Sequence, residues 1–138
     1  MSAVALIALV TAIAAGAEGP TAEGLQNRGW TLGPDAETKQ NPFTPDQKTL
    51  TVGRAVYKQK CQRCHGPGGL GDGPDADPDA TRMDLTDPKR AGQNPDGVVF
   101  YKVSNGRNSP KMPAFKEELT EEQIWMVVTY VQSLRRKS

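Results

Sequence analysis

Residues 66 to 93 run for 28 positions with six Gly, four Pro and six Asp and almost no periodic apolar pattern. A compact domain holds so long an irregular loop only for a reason, and the loop leaves little chain from which to build a core. Its flanks carry three short helical patterns. The first runs from about Val52 to Lys60, with Thr51 or Thr49 as cap and Gly53 and Tyr57 one turn apart on one face. The second takes Asn94-Pro95 as N-cap and first-turn proline, passes through Val98, Val99 and Val103, and stops at Asn105-Gly106. In the third, Thr120 and Gln123 form a capping box, and Ile124, Val127, Val128, Val131 and Leu134 share one face. Arg135, Arg136 and Lys137 then complement its C-terminal dipole. No convincing strand is present, so the expected class is all-α. About 85 ordered residues with three short helices make an uncomfortably small core, and something other than side chains must fill the middle.

The N-terminal third does not supply it. Residues 3 to 17 form an uncharged apolar run ending in Ala15-Gly16-Ala17, the small-x-small pattern of an export signal. As a helix the run is about 22 Å long, short of the roughly 30 Å of a bilayer core, and no Lys or Arg precedes it. Residues 1–17 are therefore expected to be an export signal or a retained anchor. Residues 18–50 are polar, contain four prolines and show neither helical nor strand period, so they read as a tether. Trp30 and Phe43 within it are expected to pin it to its own domain, which occupies 51–138.

With 17 basic against 16 acidic residues, the chain offers no global field for nucleic acid. Its single histidine excludes any site that needs two imidazoles. The only two cysteines sit beside that histidine, in Cys61-Gln62-Arg63-Cys64-His65. This C-x-x-C-H spacing is that of c-type haem attachment: two thiols at a helix end add to the two vinyl groups along one porphyrin edge, and the adjacent imidazole is delivered to the iron. A redox dithiol would want a βαβ context, and a zinc site would find no second ligand pair. With no histidine left, the sixth position falls to Met, Lys, water or nothing. Met112, in an irregular segment between Pro110 and Pro113, is the best candidate, Met83 is second, and Met126 reads as core filling. Asp75, Asp77 and Asp79 imitate a calcium loop, but Ala80 and Thr86 stand where its turn glycine and bidentate glutamate belong.

Over residues 50 to 135 the chain resembles the small single-haem class I cytochromes c, in order most like cytochrome c subunits or domains of bacterial respiratory complexes. The residues carrying the likeness are Gly53-Arg54-x-x-Tyr57, Cys61-x-x-Cys64-His65-Gly66, Gly69-x-Gly71-Asp72-Gly73-Pro74, Asp84-Leu85-Thr86, Asn105-Gly106-Arg107, Met112-Pro113-x-Phe115 and Tyr130-Val131-x-x-Leu134. The resemblance implies three to four short helices around one covalently bound haem c, the first and last crossing at Gly53, Tyr57 and Tyr130. It implies thioethers from Cys61 and Cys64 and axial ligation by His65 and Met112. It gives the Pro74 carbonyl as acceptor of the His65 Nδ1 proton and, more weakly, Arg107 as a propionate partner.

Such a chain is expected to move single electrons between redox partners at the outer face of the cytoplasmic membrane, or in the periplasm, as a carrier or a subunit of an electron-transport complex, and not to be an enzyme. The competing reading is a haem enzyme or gas-binding protein with an open sixth site. Lys58, Lys60 and Arg63 flank the attachment motif, and Lys111 and Lys116 flank Met112. Both approaches to the haem edge are therefore expected to be basic and to dock a negatively charged redox partner.

Overall fold

A computed structural model describes residues 27–78, 83–90 and 92–135. Among the described residues there are four α-helices, α1 (Gln47–Lys60), α2 (Gln62–His65), α3 (Asp96–Asn105) and α4 (Glu121–Ser133), with a 3-10 turn at Pro88–Arg90 before α3. No strand occurs among the described residues, as the sequence leads one to expect. Among them, no helix is long and apolar enough to cross a membrane. The apolar run at 3–17 lies outside the described residues.

Helix α1 begins five residues earlier than its apolar pattern indicates. Asp46 follows Pro45 in extended backbone, and its carboxylate accepts the Thr49 N–H at 2.8 Å. It therefore takes the cap assigned to Thr49 or Thr51, while Thr49 itself is buried. That backbone bond, above all, holds the Asp46 carboxyl below its usual range. The cap's contribution is thus complete above the ordinary carboxylate pKa and fades as pH falls through the lowered one. Asp46→Ala should lower the thermal midpoint near neutral pH and Asp46→Asn should preserve it, because asparagine caps as well as aspartate; scanning calorimetry checks both.

Helix α4 keeps the capping box, with Thr120 Oγ1 accepting from Gln123 N and Gln123 Oε1 from Thr120 N. Its apolar face buries Ile124, Val127, Val128 and Val131 as the spacing requires. Helices α1 and α4 cross where the resemblance puts them. A Cβ on Gly53 would overlap the Met126 carbonyl oxygen, so only glycine lets the two backbones come this close. One turn on, the Tyr57 and Tyr130 rings pack 5.2 Å apart, and the buried Tyr57 hydroxyl donates to the Gly66 carbonyl at 2.7 Å. Helix α3 starts one residue later than expected. Pro95 occupies its N-cap, and Asn94 instead joins Lys102 and Arg90 through its side chain. Phe100 of α3 stacks on Trp125 of α4 at 4.1 Å between centroids.

The segment expected to be a tether is, over its described residues 27–46, a strap lying on the helices. Tyr101 Oη donates to Asp35 at 2.6 Å, Asn41 donates to Thr129 Oγ1 at 2.9 Å, and Asn105 donates to the Thr31 carbonyl at 2.8 Å. Ala36 is buried. Lys39 pairs with Asp35 and lies 5.5 Å from the Phe100 ring centroid. These attachments are single polar contacts across 66 to 88 residues of sequence, and contacts of that kind leave no period in the strap itself.

Candidate functional site

The end of α1 and the short α2 carry the three chemistry-bearing residues, of which Cys61 and His65, but not Cys64, line the cavity. Cys61 caps α1, its N–H bonded to the Tyr57 carbonyl, and its own carbonyl accepts from His65 N at 2.9 Å. Cys61 and His65 line a cavity of about 420 Å³ walled mainly by α3, α4 and the segments between them, within the range of about 300–1,000 Å³ typical of cofactor pockets. Cys64 is half-buried on the next turn. Val99, Val103, Val127 and Val131 supply apolar walls.

His65 Nδ1 lies 3.0 Å from the Met83 carbonyl oxygen. Only an Nδ1–H can bond to a carbonyl, so this contact sets the tautomer and leaves the Nε2 lone pair available to a metal. Burial, the larger influence, lowers the imidazole pKa against this bond, which favours the neutral, ligating form. The acceptor is therefore not Pro74. The chain from Gly71 to Asp75 runs along the outside of α2, with Asp75 N bonded to the Arg63 carbonyl and Pro74 exposed. It returns under the imidazole only at Met83–Leu85, anchored by Leu85 N to the Gly69 carbonyl at 2.6 Å. The register set by Leu85, rather than by the nearer proline, would have pointed to Met83. Because its carbonyl is committed to His65, Met83 belongs to the histidine side, and its side chain does not line the cavity.

Met112 does line it. Helix α3 stops at Gly106, whose φ of 57° turns the chain back. Arg107 and Met112 then pair antiparallel, each N–H bonded to the other's carbonyl at 2.9 Å. This two-bond clamp sets the Met112 backbone against the cavity. Arg107 also lines the cavity, its Nε bonded to the Pro110 carbonyl. Three further cations stand on the wall: Arg90, Lys102 and Arg135. Burial, then the charge of Arg90, lowers the Arg135 pKa, and its guanidinium reaches the Asp87 carbonyl and Gln132. Arg135, read from sequence as a dipole complement, also lines the cavity. So does Trp30, whose place on the cavity wall no periodic pattern announces.

The donor set fits haem. A neutral imidazole and a thioether line one largely apolar cavity, a cysteine stands on its wall, and four cations suit the two propionates. It fits the alternatives poorly. Burial, helped by nearby Cys64, pushes the Cys61 thiol up to about 12, opposite to the depressed pKa of a redox dithiol or a zinc thiolate. Among the described residues no three His, Cys, Asp or Glu side chains converge on a metal position. Of the calcium-like aspartates, Asp75 is taken by Arg63, and Asp79 and Ala80 lie outside the described residues.

The expected basic approaches are weaker than the residue types imply. Arg63 makes a bidentate pair with Asp75 at 2.6 and 3.0 Å, and Lys60 pairs with Glu118 at 2.6 Å. Exposed Lys58, Lys111 and Lys116 remain around the two segments.

Comparison with known proteins agrees. Residues 48–131 match the family described as cytochrome c oxidase, cbb3-type, subunit III. Cytochrome c6 of Parathermosynechococcus lividus is 34% identical over 86 residues, 59% of this chain and 86% of that protein. Cytochrome c6 of Synechococcus elongatus is 33% identical over the same lengths. Among solved structures, a reducing HAO-like protein complex of Kuenenia stuttgartiensis is similar with a TM-score of 0.59 and 32% identity, over 69% of this chain and 47% of the other. The chain thus spans about half the length of that solved relative. With a family match over more than half its length and the C-x-x-C-H cavity described above, the chain belongs to the class I c-type cytochromes, electron-transfer proteins with covalently attached haem c.

Proposed function

We propose that this chain carries one haem c, joined through Cys61 and Cys64 with His65 and Met112 as axial ligands, and passes single electrons between protein partners on the outer face of the cytoplasmic membrane. The haem supplies the Fe(III)/Fe(II) couple. The observation that carries the reading is that His65, oriented by Met83, and Met112, clamped by Arg107, line one cavity with valine walls and a cationic side. With both axial positions filled by side chains there is no vacancy for substrate, which favours electron transfer over bond-making. The protein's part is to hold the imidazole by its Nδ1 proton, to keep the thioether in place and to limit water with the valine walls. Arg107, with Arg90, Lys102 and Arg135, receives the propionates. As carrier or complex subunit the chain meets its partners through the surface around Lys58, Lys111 and Lys116; residues 1–17 deliver it there as signal or anchor.

The test is spectroscopic. The purified haem-loaded protein should contain one haem per chain, show the weak far-red charge-transfer band of methionine-bound ferric iron, and bind carbon monoxide slowly when reduced. Rapid carbon monoxide binding by the unmodified protein would instead support the open-site enzyme. Electron transfer with an acidic partner should slow as salt rises. Because Lys60 and Arg63 are already paired, the slope should be carried mainly by Lys58, Lys111 and Lys116, and a stopped-flow series over ionic strength with each lysine replaced by glutamine checks this.

A further inference from the structure

Trp30 lies 18 residues before the stretch that matches the family, yet its ring forms part of the cavity wall. The Arg107 guanidinium carbon stands 4.4 Å from the indole centroid and the Lys102 ammonium 5.3 Å. Both distances suit cation–π attraction. The next residue is tied down as well, since Asn105 donates to the Thr31 carbonyl at 2.8 Å. Asn105 and Arg107 bracket the turn at Gly106, and Arg107 is the residue whose backbone clamps Met112. The strap therefore grips the base of the Met112 segment from outside, at two successive residues. Its own hold on the helices is independent, through Asp35 to Tyr101 and Asn41 to Thr129.

We infer that Trp30 is a positioning residue for Met112 and a shield over the haem cavity: by stacking on Arg107 it keeps the 107–112 turn closed, and by covering the wall it keeps water from the iron. The inference rests on Met112 being the axial ligand. Loosening the turn raises the fraction of time in which Met112 is displaced, and with it the rate at which an external ligand reaches reduced iron. Admitting water stabilises the ferric charge and lowers the potential.

The experiment compares parent, Trp30→Phe and Trp30→Leu, all haem-loaded, by carbon monoxide binding to the reduced protein and by redox titration. Phenylalanine keeps a π face and leucine keeps only apolar bulk. Trp30→Leu should bind carbon monoxide roughly five- to thirtyfold faster, the factor set by two cation–π contacts, with a lowered potential and a weakened far-red band. Trp30→Phe should stay close to the parent. A Trp30→Leu protein with the parent's rate and potential overturns the inference, as does an equal change in both variants. A parent that lacks the far-red band and binds carbon monoxide rapidly would show that Met112 is no ligand, and the inference would fall with that reading; a slow-binding parent with unaltered variants sinks the role of Trp30 alone.

Discussion

Met112→Ala in the haem-loaded protein is expected to abolish the far-red band, drop the reduction potential on the order of 0.1 V or more, and open the reduced iron to rapid carbon monoxide binding. A thioether favours the reduced iron and raises the potential, and axial-ligand identity moves haem potentials over a span of roughly 0.8 V, so removing one ligand has room for an effect of this size. Neither of the other described methionines nor a second histidine can take over. Met83 presents its carbonyl to His65 on the opposite side, Met126 sits in α4 behind the crossing with Gly53, and the sole histidine is already used. Potentiometry and the ferric spectrum measure both effects. A variant that keeps the parent's band would show that another group ligates the iron.

Gly106→Val is the second large expectation, and it couples fold to site. The glycine sits at φ 57° and ψ −162°, a combination closed to β-branched residues. A Cβ there would also overlap backbone atoms of Met112, Pro113 and Ala114, which cannot swing aside as a flexible side chain would. Backbone strain and overpacking together should destabilise the domain by about 3–5 kcal/mol. What remains folded should have the Met112 segment displaced, so the far-red band should weaken before the helices melt. Following that band and the far-ultraviolet circular dichroism through one denaturant titration tests the order. Coincident loss of both at the parent's midpoint would contradict the assigned role of Gly106.

Some of this architecture was legible from the residues, and the reasons differ by element. Helix α4 reads cleanly because five apolar residues keep one period behind a reciprocal cap, all between Thr120 and Leu134. The Gly53, Tyr57 and Tyr130 crossing came through the family resemblance, since nothing in either helix says which residue of its partner it meets. The start of α1 was missed because Asp46 and Pro45 outrank the threonines that follow, and the apolar pattern begins only after the first turn. The family resemblance implied Pro74 as the acceptor for His65; the chain at 71–75 instead passes outside α2, and the acceptor is Met83, nine residues later. Residues 18–50 read as a tether pinned by Trp30 and Phe43, whereas over 27–46 the segment is held at further points that leave no pattern in it. Its hold depends on Asp35, Asn41 and Trp30, which meet Tyr101, Thr129 and Lys102 of the helices, each more than 60 positions away.

By itself the sequence determined the chemistry: two thiols and one imidazole in five residues admit few uses, and the scarcity of apolar residues requires a cofactor to complete the core. It also excluded a second histidine and so left the other face to methionine, lysine, water or nothing, with Met112 the best candidate. Only the tertiary structure decided which carbonyl orients the imidazole, which of the methionines faces the cavity, and that a tryptophan from the strap closes it. The physical reason is range. Bonding capacity belongs to each side chain and survives in the one-letter string, whereas a hydrogen bond from His65 to Met83 or a stack of Trp30 on Arg107 depends on how the intervening loop or strap is laid across the helices.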